Sequence, residues 1–364
     1  MYTSRRFTLA GLSCLLVAFG AMAQPETPPA AADFTQLGGF PSPAAGAFGV
    51  AADFLGDGSL IAYNGERVFV EDSPGADAYT NSYSGFTGDP GFLATAPDGV
   101  NALVCGGASG GLWLFDSANP DDAGDPFFAL ENTFSGEFIS DDTVIVDRAE
   151  IVANGSTPTY ASELGILDLS LVGTGNTVGL YTKVVQKPVE GSASAGLVLY
   201  DGNVYAGDGL TGQVRAFAVS DLLAAWTSGT PLAWEDGDLI GTFNSGGPQA
   251  VSGQGTLLIG GLDPVAFDSS VQFVSTSSQL GGEVIIPQAS ETPFYGALHN
   301  PVTSRIVITA TSFDTSPPTV NAYESDEAYE EPVPPLDILQ VILDFLAGAG
   351  GFVLILLLLV FVFI

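Results

Sequence analysis

The feature that most constrains this chain is a unit that returns six times. Each copy is a short apolar strand, a tight polar or glycine turn, a second apolar strand, a loop and a third strand. The first copy runs Val50–Phe54, turns at Gly56-Asp57-Gly58, continues Leu60–Tyr63, turns at Asn64-Gly65 and ends with Arg67–Val70. The second has Phe92–Thr95, Pro97-Asp98-Gly99, Ala102–Cys105, the loop Gly106–Gly110 and Leu112–Asp116. The fourth has Leu197–Tyr200, Asp201-Gly202, Val204–Ala206, Gly207–Gly212 and Val214–Phe217. Weaker copies start at Phe138-Ile139, contain Thr256–Ile259 and Val271–Val274, and contain Arg305–Ile308 and Thr319–Ala322. The turns at Gly58, Gly99, Asp142, Gly202, Gly255 and Thr303 lie 41, 43, 60, 53 and 48 residues apart. Asn-Gly and Asp-Gly turns suit hairpins because both residues accept positive φ.

Three strands per copy, with a variable fourth in the gap, give four-stranded units at the spacing of β-propeller blades. A β-sandwich does not predict six returns. The expected fold is all-β: a propeller of about six four-stranded blades over residues 34–323. Tyr83–Phe86, Thr133–Gly136 and Gly241–Asn244 read as outer elements, and Gln36–Phe40 resembles them but precedes the first copy. The N-terminal segment is therefore expected to supply the fourth strand of the last blade and remove its exposed edge.

Gly202–Ala206 followed by Gly212–Phe217, and likewise Leu112–Asp116, resemble the strand pairs of secreted β-propellers of the NHL/YVTN and quinoprotein-like kind. The resemblance spans residues 34–323 and is generic. It implies the fold rather than an activity, since such propellers include ligand-binding scaffolds, calcium-dependent lactonases and dehydrogenases.

The two ends carry location signals. Residues 1–23 read as a secretory signal peptide, with Arg5 and Arg6, the apolar run Leu9–Phe19 and the cleavage site Ala21-Met22-Ala23. Phe345–Ile364 is 20 residues without a charge, about 30 Å as a helix and enough to span a bilayer. Residues 336–364 are thus expected to be a C-terminal transmembrane anchor helix. A processed glycolipid signal is the alternative, although its polar spacer is missing. Residues 24–33 and 324–335 read as a Pro/Ala-rich and an acidic Pro-rich linker. The propeller is placed on the periplasmic or extracellular side.

Composition narrows the chemistry. The chain carries 41 Asp+Glu against 8 Lys+Arg, a formal charge of −33. Loss of the signal removes two arginines and no acids, giving −35. Nucleic acid is excluded as a partner, because counterion release needs Lys and Arg. His299 is the sole histidine, so no multi-His metal site exists, and there is no G-x-S-x-G elbow or P-loop. Cys105 sits in an apolar strand and reads as a core residue.

Calcium is the cofactor that such a composition invites. Asp208, Asp263, Asp268 and Asp314 fall in the loops after the second strand of three copies, on the face that carries the central opening. They are candidate metal ligands, and the same residue type is also the ordinary turn former. The third copy holds the longest internal loop, Arg148–Glu163, whose Arg148, Glu150 and Tyr160 are candidate ligand-binding residues. Arg148 equally suits an ordinary salt bridge. The expected function is an exported, membrane-tethered binding or scaffold module for a protein, glycan or cationic ligand. Alternatives are a Ca2+-dependent hydrolase or lactonase, and a surface protein whose acidity serves solubility in a salt-adapted organism.

Overall fold

The computed structural model describes residues 27–154, 157–188, 192–287 and 293–329. The signal segment, residues 24–26 and 330–335 of the two linkers, and the apolar C-terminal stretch lie outside the described residues. Among the described residues, no helix is long and apolar enough to cross a membrane.

The chain first lays down β1 (Phe34–Leu37), then six antiparallel sheets in sequence. Blade 1 is β2 (Ala51–Phe54), β3 (Leu60–Tyr63), β4 (Val68–Val70) and β5 (Asn81–Tyr83). Blade 2 is β6 (Phe92–Thr95), β7 (Asn101–Cys105), β8 (Gly111–Asp116) and β9 (Phe128–Ala129). Blade 3 is β10 (Thr133–Ser140), β11 (Thr143–Asn154), β12 (Thr157–Asp168) and β13 (Tyr181–Gln186). Blade 4 is β14 (Leu197–Tyr200), β15 (Asn203–Gly207) and β16 (Gln213–Ala218), completed after a helix at Val219–Ser228 and a short β17 (Leu232–Ala233) by β18 (Asp238–Thr242). β17 runs parallel to β13 on the outside of blade 3. Blade 5 is β19 (Pro248–Val251), β20 (Thr256–Ile259), β21 (Val271–Ser275) and β22 (Leu280–Val284). Blade 6 is β23 (Phe294–His299), β24 (Ile306–Ser312) and β25 (Thr319–Ser325), and its fourth strand is β1.

The chain is a six-bladed β-propeller. Each innermost strand neighbours the next, and β23 returns to β2. Closure is a four-residue antiparallel ladder, Phe34↔Ser325 to Leu37↔Ala322. Side chains reinforce it: Thr35 Oγ1 donates to Asp326 (2.6 Å) and Gln36 Nε2 to Asn321 (3.1 Å). Asp77 then accepts from the Gly38 N–H (2.6 Å), which fastens the closing segment to blade 1.

Strand periodicity explains the packing. Side chains alternate between the two faces of a sheet, and each blade is covered on both faces by its neighbours. In β3, Leu60 and Ala62 pack with Val307 and Ala322 of blade 6, while Ile61 and Tyr63 pack with Leu93 and Val104 of blade 2. In β7, Ala102 and Val104 face blade 1, and Leu103 and Cys105 face Val144 and Val146 of blade 3. The same division holds at β15, where Val204 and Ala206 face blade 3 and Tyr205 faces blade 5. Six interfaces follow, so the second strands of the blades carry buried apolar residues on both faces. Burial pushes the Cys105 thiol up to about 12, as befits a core cysteine.

Three segments differ from the sequence expectation. Arg148–Glu163 is not a loop but the far half of a hairpin, in register from Thr143↔Asp168 to Asn154↔Thr157. Thr133–Gly136 is the beginning of the innermost strand of blade 3, not an outer element. The helix at Val219–Ser228 was also not expected. It ends at Gly229 in the left-handed conformation and buries Leu222 and Ala225 against blades 3 and 4.

Deleting residues 27–37 should bare the β25 edge. The expected outcome is a melting temperature lower by roughly 10 °C, matching a loss of about 3 kcal/mol, and self-association through the open edge. Differential scanning calorimetry and sedimentation velocity check both.

Candidate functional site

The innermost strands converge on the axis, where only small side chains fit side by side. Gly196 shows the constraint: a Cβ there would lie 2.1 Å from the Pro248 carbonyl oxygen of blade 5. The resulting channel has a volume of about 480 Å3. Its wall is mostly Gly, Ala and Ser, including Ala51, Gly136, Ser194, Gly196, Gly246 and Gly296. Polar links stitch alternate pairs of blades around it. Asp53 accepts from the Thr95 N–H (2.7 Å), Ser135 Oγ from the Leu197 N–H (3.1 Å), and Gln249 Oε1 from the Ala297 N–H (2.8 Å).

Two carboxyl groups stand in this wall, Asp53 on blade 1 and Glu137 on blade 3. Each keeps partial exposure to the channel and is otherwise enclosed by protein. Enclosure raises the Glu137 pKa from 4.5 to about 8, and the nearby Asp53 charge adds to the shift. Burial also raises Asp53, while the N–H groups of Thr95 and Phe54 pull it back. At neutral pH Glu137 therefore holds its proton, and both channel carboxyls lie above their usual range.

Above the carboxyl groups, the mouth is aromatic. An adjoining pocket of about 360 Å3 shares Val50, Ala51, Gly91, Phe134, Phe294 and Thr311 with the channel. Phe48, Phe134, Phe294 and Phe313 line it, with Phe48 66% and Phe313 57% exposed. These residues sit where chains enter the inner strands or leave the second strand. In an antiparallel meander both points lie on one face of the ring. An open aromatic surface of this kind is costly in water unless something covers it.

A buried ion pair holds one wall in place. Lys187 and Asp147 are both fully buried, with Nζ 2.8 Å from Oδ2. Lys187 also donates to the Gly207 carbonyl (2.6 Å) and lies 5.1 Å from the Trp234 ring centre. Asp147 accepts from the Ala195 N–H (2.9 Å) and the Ser162 hydroxyl (2.9 Å). The pair thereby ties blade 3 to Ala193–Gly196, the channel segment of blade 4.

The candidate residues from sequence fall elsewhere. Arg148 donates to Glu163 (3.3 Å) and the Glu131 carbonyl (3.0 Å), 5.9 Å from the Tyr181 ring centre. Glu163 also takes the Tyr181 hydroxyl (2.7 Å) and lies 3.5 Å from Lys183. Glu150 and Tyr160 lie on the two strands of the hairpin, in register with Ala161 and Ile151. Asp208 is buried and engaged by Ala193 N–H, Leu210 N–H and the Thr211 hydroxyl. Asp263 Oδ1 accepts from Val265 and Ala266 N–H, which holds its pKa below the usual range. Asp314 pairs with the Ser312 hydroxyl (3.2 Å). Asp263 and Asp268 line one pocket, whereas Asp208 and Asp314 belong to other blades. Among the described residues, no three His, Cys, Asp or Glu side chains come together to hold a metal ion.

No family model matches the chain, and no curated protein matches it. Solved structures do. A luciferin-regenerating enzyme is 12% identical over 81% of this chain and 97% of its own, with a TM-score of 0.54. The β-propeller domain of Myceliophteria thermophila Cps50 (Swd1) is 11% identical over 80% and 99%, with a TM-score of 0.49. Kuenenia stuttgartiensis hydrazine synthase is 13% identical over 74% and 77%, with a TM-score of 0.46. At these identities the likeness is one of fold, a fold that commonly serves as a binding or scaffold module.

Two outcomes follow from the channel electrostatics. Lys187→Met leaves Asp147 buried without its cation and should cost about 3–5 kcal/mol in a urea melt. Glu137 keeps in the folded state a proton that the unfolded chain releases near 4.5. Stability should therefore fall as pH rises from about 4.5 to about 8. In Glu137→Gln that fall should shrink to the part due to Asp53, so the variant gains on the parent most at pH 8. Melting temperature against pH reads the difference.

Proposed function

We propose that this protein is an exported, membrane-tethered propeller that binds an organic cation at the mouth of its central channel. The observation that carries the reading is the pairing of an exposed phenylalanine collar with two carboxyl groups in the wall below it. Aromatic faces attract cations and pack apolar bodies, and an ionised carboxylate takes the charged head. The formal charge of −33 favours approach of cations from a distance. The apolar segments at both ends of the chain support export and tethering.

Binding is coupled to the proton on Glu137. A cation beside it favours the ionised form, so complex formation releases a proton below about pH 8. Affinity should rise with pH, by at most tenfold per unit, and level off above 8. Calorimetric titration of benzylamine at pH 6 and pH 8 tests this, in two buffers of different ionisation enthalpy. Glu137→Gln should bind more weakly at pH 8 and lose the pH dependence. Binding that ignores both pH and Glu137, or no binding, rejects the channel as a cation site.

The tether has its own test. Removing residues 336–364 should move the folded protein from the membrane fraction to the soluble exported fraction. Retention in the membrane pellet contradicts the anchor.

A further inference from the structure

A second pocket, of about 420 Å3, opens on blade 5 away from the channel. Topology puts it on the collar face, since its walls are loops that enter inner strands or follow second strands. Asp263, Asp268 and Glu283 stand around it, and Ile286, Pro293 and Tyr295 supply apolar wall. No described cation forms an ion pair with these three acids; the ion pairs of the described residues lie in blades 3 and 6. Asp263 uses only Oδ1 for its own loop, which leaves Oδ2 open.

An independent observation concerns the neutral groups lining the same pocket. Asn244 is 99% buried by the complement of its 1% exposure, yet its Oδ1 has no hydrogen-bond donor. The amide orientation is settled, because Nδ2 donates to the Ser270 carbonyl (2.7 Å) and hydroxyl (3.1 Å). Ser269 Oγ is buried without a partner as well. A buried acceptor left unmade costs about 1–3 kcal/mol, and a ligand that donates to it recovers that cost.

We infer that this pocket receives the guanidinium of an arginine on a partner polypeptide. The acceptors form a set, neutral oxygens on Asn244 and Ser269 and carboxylates from three acids. They match a planar group with five N–H donors and no acceptor. The aliphatic stem lies along Ile286 and Tyr295. Val265 and Phe267, 85% and 66% exposed on the loop between Asp263 and Asp268, pack apolar residues flanking the arginine. The site goes beyond the channel reading and does not depend on it, since it shares no lining residue with the channel.

The test titrates the full chain with N-acetyl-arginine amide and with a short peptide carrying Leu-Arg-Leu, by calorimetry. N-acetyl-lysine amide and calcium chloride are the comparison arms. The peptide should bind more tightly than the single residue, and both should weaken with salt. The double variant Asp268→Asn/Glu283→Gln should lose at least tenfold in affinity. Ser269→Ala should lose several-fold with no fall in melting temperature, because the hydroxyl it removes has no partner to lose. Glu137→Gln should bind as the parent does, which separates this site from the channel. Lysine binding as well as arginine overturns the assignment. So does calcium displacing the probe through the same acids, affinity unchanged in the variants, or no saturation by about 10 mM, a binding free energy weaker than about −3 kcal/mol.

Discussion

The ring depends on one short ladder. Phe34–Leu37 pairs with Ala322–Ser325, and through that pairing the last blade gains its fourth strand from the first part of the chain. Without it, blade 6 has a bare outer edge, and its interface with blade 1 is held only by side chains such as Val307 against Leu60. Because each blade is a wall for two cores, loosening one interface removes support from the next. Closure therefore converts six local meanders into one structure with a defined axis.

That axis is where the electrostatics become unusual. Several surface acids sit in turns or at strand ends, where backbone N–H groups a few residues on hold them, as at Asp98, Asp116 and Asp263. These interactions lower carboxyl pKa values on the surface. In the channel the balance reverses. Glu137 receives no hydrogen bond from a described residue, and enclosure decides its protonation. The same fold thus presents acids held below their usual range by backbone N–H groups outside and an acid raised to about 8 inside.

Much of the blade pattern was legible because strand alternation and turn chemistry are local. Val204-Tyr205-Ala206 after Asp201-Gly202 reads as a buried second strand whatever surrounds it, and the structure places it so. The first strands of blades 3 and 6 were less legible. Thr133–Gly136 mixes Thr, Phe, Ser and Gly, which suits an axis-facing strand but resembles an outer one. The hairpin of blade 3 was not legible, because Arg148, Glu150 and Glu163 break the apolar alternation by which strands are read. Asp53 and Glu137 carried one too, as charges inside strands, though nothing in their spacing links residues 84 positions apart.

By itself, the sequence determined the class of fold, the closing role of the N-terminal segment and the excess of acid, because each rests on local pattern or simple counting. Only the tertiary structure decided which acids matter together. Asp53 comes near Glu137 because the inner strands of blades 1 and 3 converge on the axis, and Lys187, just past β13, meets Asp147 of β11 across blade 3. That convergence is a property of the closed ring. Desolvation, which sets the proton on Glu137, depends on everything packed around it rather than on its neighbours in the chain.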